Sequence, residues 1–100
     1  MVAIIEKLKT NILDNNAEAV LEDLEQLEAE ARSDGTVMKA VLSPPVITEL
    51  HELLEEHLGV NRRLMQIRRG NHSPKSRAIL FIMAMKMGVS KSESMVQKGK

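Results

Sequence analysis

The chain is 100 residues long, with 14 basic and 14 acidic residues, seven Met, one aromatic residue (Phe81) and no Cys. A length of this order supports one modest core, and a 43% hydrophobic share with 28% charge excludes a disordered chain. The missing cysteines exclude disulfides, thiol chemistry and cysteine-based zinc sites. With little aromatic or alternating sequence, the core has to come from Leu, Ile, Val, Met and Ala, which suits helices packed on helices.

The formal charge is zero, but it is sorted along the chain. Residues 1–60 hold four basic residues against thirteen acidic ones, 4 − 13 = −9; residues 61–100 hold ten against one, 10 − 1 = +9.

In chain order, Ile4, Ile5, Leu8, Ile12 and Leu13 recur at helical spacing and predict a helix over residues 2–14. Asn15 is expected to cap the next helix, with Glu18 returning the bond. That second helix should run from Ala17 to about Arg32. Its apolar positions Leu13, Ala17, Val20, Leu24, Leu27 and Ala31 alternate in spacings of four and three, as in a coiled-coil seam. The seam lasts less than three heptads, so an antiparallel pair inside one fold is expected. Glu18, Glu22, Glu25 and Glu28 then form an acidic face. Gly35 is expected to end this helix in the left-handed conformation.

Residues 36–42 read as a short helix or a buried extended piece. Pro44 and Pro45 break the chain and start a helix that stops at Gly59. Asn61 should cap a short helix over Arg62–Arg69, and Ser73 with Pro74 should open a final strong helix ending near Gly88. Residues 90–100 are polar and read as a flexible tail. The expected architecture is all-α: a bundle over residues 1–89 of five or six short helices around a central apolar helix, followed by that tail.

The stretch His51–His57, HELLEEH, invites comparison with the HExxH zinc-protease helix. That motif needs histidines at i and i+4, whereas these lie six residues apart, about 240° around a helix turning ~100° per residue. Two such rings cannot chelate one ion from a straight helix. The residues read as a core stripe (Ile47, Leu50, Leu53, Leu54, Leu58) backed by a solvated face (Glu49, Glu52, Glu55, Glu56). No metal or cofactor is expected.

Residues 62–77 are the most suggestive segment. Arg62, Arg63, Arg68, Arg69, Lys75 and Arg77 place six cations in sixteen residues, a density suited to phosphates or to an acidic partner. A helix-turn-helix outline fails at its second helix, because Ala78–Met85 offers no polar side chains to base edges. The bland alternative is that these arginines pair with the chain's own acidic helices, or with those of a second copy. Asn71-His72-Ser73 matches a glycosylation acceptor, and Ser73-Pro74 a phosphorylation site, but helix capping accounts for the serine.

A Leu-rich helix, Gly59, Asn61, Ile67-Arg68-Arg69 and then an apolar helix loosely resembles the helical N-terminal domains of transcription elongation factors. The chain departs from them in spacing and lacks the tryptophan they usually carry. The resemblance implies a transcription-associated helical domain using residues 62–77.

With no tyrosine, glycine-rich phosphate loop or nucleophile elbow, the chain is not expected to be an enzyme. The residues point to a small regulatory protein acting through charge-segregated helical surfaces on a protein partner or on itself. Non-sequence-specific nucleic-acid binding is the alternative. Neither a membrane nor a small-molecule substrate is expected. The first thirteen residues carry charges inside their apolar pattern, unlike a signal peptide. With the lack of cysteine, this suggests a cytoplasmic setting.

Overall fold

In a computed structural model the backbone is described for residues 2–65 and 70–98, and the side chains of these except Leu64 and 93–98. Five α-helices follow one another: α1 (Ala3–Leu13), α2 (Ala17–Ser33), α3 (Gly35–Val41), α4 (Pro44–Leu58) and α5 (Pro74–Lys98), with a 3-10 helix, Arg62–Met65, before α5. No strand occurs among the described residues. The radius of gyration, 12.9 Å, is the ~13 Å of a compact chain this long. Among the described residues no helix is long and apolar enough to cross a membrane.

The predicted apolar positions build the core. Ile4, Ile5, Leu8 and Ile12 of α1 meet Val20, Leu24, Leu27 and Ala31 of α2, with Leu50 and Leu54 from α4. The four-three spacing of α2 is therefore a seam within one fold, as expected, although Leu13 at its start lies 51% exposed. Helix α5 supplies Ala78, Ile79, Phe81, Ile82, Met85 and Val89. It packs most extensively on α2, and also touches α3, α4 and the 3-10 helix.

Several boundaries differ from expectation for local reasons. Asn16, not Asn15, caps α2: its Oδ1 accepts from the Ala19 N–H at 3.2 Å. Asn15 instead takes the left-handed conformation, φ 56°, that turns the chain between α1 and α2. This moves the cap by one residue, so Glu18 no longer stands at the capping-box position. Gly35 is not a left-handed terminator. Asp34 ends α2 in extended backbone and caps α3 at once, accepting from the Thr36 N–H at 2.9 Å, which makes Gly35 the first residue of the next helix. Residues 36–42 are thus helical down to Val41. The expected stop at Gly59 is present, with φ 65° and the Val60 N–H closing onto the Leu54 carbonyl at 3.1 Å.

The largest difference is at Gly88, which does not end α5. The helix passes through it to Lys98. A Cβ there would lie 2.6 Å from Val60 Cγ1, so the glycine serves close approach of the loop after α4 rather than termination. Past it, Val89 is buried and Ser92 Oγ donates to the Leu58 carbonyl at 2.7 Å, satisfying one of the carbonyls that α4 leaves open at its end. The chain beyond 90, read from sequence as a tail, thus begins as helix bonded to α4.

Candidate charged interface

The acidic block and the basic block are brought together in one globule, and their side chains largely fail to meet. Within the acidic block three of the four cations are taken up locally, and Lys39 forms no ion pair among the described residues. Lys7 lies 3.5 Å from Asp23, Lys9 reaches Glu49 at 3.1 Å, and Arg32 pairs with Glu28 at 3.2 Å one turn back. Asp23 is buried and also accepts from Asn11 Nδ2, which ties α1 to α2. Among the described residues two pairs join the blocks: Arg62 with Glu55 at 3.4 Å, and Lys86 with Glu28 at 3.8 Å.

The predicted interface residues divide accordingly. Asn61 Oδ1 accepts from the Arg63 N–H at 2.9 Å and starts the 3-10 helix, leaving Arg62 and Arg63 exposed beside the end of α4. Ser73 Oγ accepts from the Ser76 N–H at 3.2 Å and starts α5, which puts Lys75 and Arg77 on its exposed first turns. Arg68 and Arg69 lie outside the described residues. Among the described residues, Arg63, Lys75 and Arg77 form no ion pair. On α2, Glu18, Glu22 and Glu25 are exposed and likewise unpaired among the described residues, while Glu28 is half-buried and shared by Arg32 and Lys86. None of the α2 glutamates pairs with a described cation of residues 62–77. Among the described residues, internal neutralisation of the basic segment amounts to the Arg62–Glu55 contact. That pair is half-exposed and contributes little by itself.

The two histidines of HELLEEH part company. His51 points inward: its ring meets Phe81 edge-on, centroids 5.2 Å apart at 65°, and its buried Nε2 has no hydrogen-bond partner among the described residues. No group of three His, Asp or Glu able to hold a metal ion occurs among the described residues. Burial holds the His51 imidazole below its ordinary value. The charge of Arg62 adds to this, while Glu55 and the backbone of Met65 oppose it. A base depressed by folding is protonated more readily in the unfolded chain, so its contribution is complete above about pH 6.5 and is lost as pH falls through the lower folded value. Urea unfolding across that window should show stability dropping as pH is lowered from 7, and His51→Leu should flatten the slope. An unchanged slope in the variant would assign the dependence to other groups.

No family model, curated protein or solved structure matches this chain. The loose likeness to transcription elongation factor domains therefore gains no support, and the charged surface has to be read from its own chemistry.

The apolar run Ala78–Met85 reads from sequence chiefly as core, with a face toward a partner groove as the lesser reading. Helix α5 reads as apolar all round, which suggests burial on every side. Instead Leu80, Met83 and Met87 lie 37%, 44% and 70% exposed. Their spacing of three and four residues puts them on one stripe, which the sequence does not distinguish from the equally apolar stripes beside it.

Proposed function

We propose that the chain is a small non-catalytic interaction protein that engages a protein partner through charge-segregated helical surfaces: the cations around Arg63, Lys75 and Arg77 on one side, and Glu18, Glu22 and Glu25 of α2 on the other. The observation supporting this is that the two sets are exposed and not spent on each other. In this reading the apolar positions of α5 act as the central support that carries both surfaces. Unpaired surface charge of this kind steers association and selects partners more than it stabilises a fold.

The alternative, binding to nucleic-acid backbone through the same cations, makes a separate prediction. Each neutralised phosphate releases counterions, so affinity would fall steeply with salt. Fluorescence anisotropy with a duplex DNA and a single-stranded RNA, run at low and physiological salt on the full chain and on R63E/K75E/R77E, separates the two. The protein-partner reading expects no binding at physiological salt and no difference between the proteins. It also expects cross-linking mass spectrometry to map intermolecular links at Lys75 and the α2 glutamates, lost respectively in R63E/K75E/R77E and in E18K/E22K/E25K. Tight, salt-sensitive nucleic-acid binding abolished by R63E/K75E/R77E would replace this reading with the alternative.

A further inference from the structure

The exposed stripe on α5 lies in a shallow furrow along the seam with α2. At one end a cavity of about 450 Å³ is lined by Arg32 from α2 and by His72, Lys75, Ile79 and Leu80 around the start of α5. At the other a cavity of about 730 Å³ is lined by Leu21 and Glu25 of α2 and by Met87 and Lys91 of α5. Arg32 near the end of α2 thus faces the start of α5, and Leu21 near its start faces the later turns, so the two helices run antiparallel with Met83 between the cavities. An open apolar strip in a valley between two helices is the shape that receives a third helix.

The charges around the strip decide which helix. Glu28, on the α2 wall, is neutralised by Arg32 and Lys86, which leaves Glu25 as the anion lining the furrow. On the α5 side Lys75, Arg77 and Lys91 are exposed and unpaired among the described residues. Lys75, which lines the first cavity, and Lys91, which lines the second, are sixteen residues apart, ~24 Å at the ~1.5 Å rise per helical residue, and Leu80, Met83 and Met87 fall between them. A second copy fits poorly. Two α5 helices packed antiparallel about Met83 would set the Lys75 of each against the Lys91 of the other.

We propose that this furrow docks an acidic amphipathic helix of another protein, with leucine-like side chains at i, i+3 and i+7 on the Leu80–Met83–Met87 stripe and carboxylates at its two ends against Lys75 and Lys91. Methionine suits such a surface, because its flexible, polarisable side chain moulds to different apolar partners. The proposal rests on the protein-partner reading above and names the partner class for its basic side.

The test uses the full-length chain and a fluorescein-labelled synthetic peptide of that pattern. Controls are the peptide with lysine for glutamate, the peptide with serine for leucine, and vesicles of phosphatidylserine. The expected result is binding of the acidic amphipathic peptide alone, weakened about tenfold or more by the charge-neutral pair M83Q/M87Q and by K75E/K91E. Circular dichroism should show both variants folded, since the four positions are solvent-facing. If K75E/K91E weakens binding and M83Q/M87Q does not, the stripe is not the docking surface, although the charge-based reading survives. If neither variant changes affinity, both fall. Uptake by the vesicles without peptide binding, or a dimer in light scattering that M83Q/M87Q dissolves, would give the furrow to a membrane or to a second copy and overturn the proposal.

Discussion

Phe81→Ala should lower the unfolding free energy by about 3–5 kcal/mol, the largest loss expected from any single truncation in this chain. Phe81 is the one aromatic residue, is 1% exposed, and sits on the buried face of α5 with Ala78, Ile82 and Met85. Removing its ring deletes more apolar surface than any Leu or Ile substitution would and leaves a cavity too large for its neighbours to close. A domain of this length has roughly 5–15 kcal/mol of stability in total, so about a fifth or more of it goes. Urea unfolding followed by circular dichroism should show the midpoint fall with little change in slope. His51 offers an internal check. Its ring lies edge-on to Phe81, so H51A and F81A should be non-additive, with a coupling of about 0.5–1.5 kcal/mol. Strict additivity would show that the edge contact carries no energy. A loss below about 2 kcal/mol would mean that the site collapses around the missing ring.

Gly88→Leu should be the next most damaging change, at about 1–3 kcal/mol or somewhat more, even though leucine is a better helix former than glycine by close to 1 kcal/mol. The first added carbon already falls 2.6 Å from Val60 Cγ1 and 3.6 Å from Met65 Cγ. Val60 is β-branched, has one strongly preferred rotamer and is 1% exposed, so it cannot swing aside. The milder Gly88→Ala isolates the cause. It should destabilise in the native background and become neutral or stabilising beside Val60→Ala, because the clash is gone and the helix-propensity gain remains. If Gly88→Ala alone raises the melting temperature, the glycine is not there for close approach.

Gly88 also shows where the sequence misleads. Glycine is used both for left-handed backbone and for near contact, and the two uses look alike on paper. Gly59 and Gly88 both read as helix stops; Gly59 ends α4 in left-handed backbone, and Gly88 instead serves near contact. Gly35 was misread because Asp34 both closes α2 and opens α3, which leaves no turn for a glycine to make. Helices whose apolar residues recur with a clear period, α1, α2 and α4, were legible to within a residue or two. Helix α5 was legible in kind but not in orientation: with apolar residues on every side, its pattern does not say which stripe meets the core.

Of the candidate interface, the sorting of charge along the chain was plain from composition. Its survival in space was not, because pairing depends on which turn of which helix each side chain leaves from. Glu28 could reach Lys86 only because α2 and α5 run side by side, while Lys75 and Arg77 at the other end of α5 find no carboxylate among the described residues.

The bond from Ser92 to the Leu58 carbonyl spans 34 residues of sequence. It makes the end of α4 dependent on chain that is synthesised much later. A chain cut before Ser92 would leave that carbonyl without its donor, so limited proteolysis of such a truncation should open the end of α4 first.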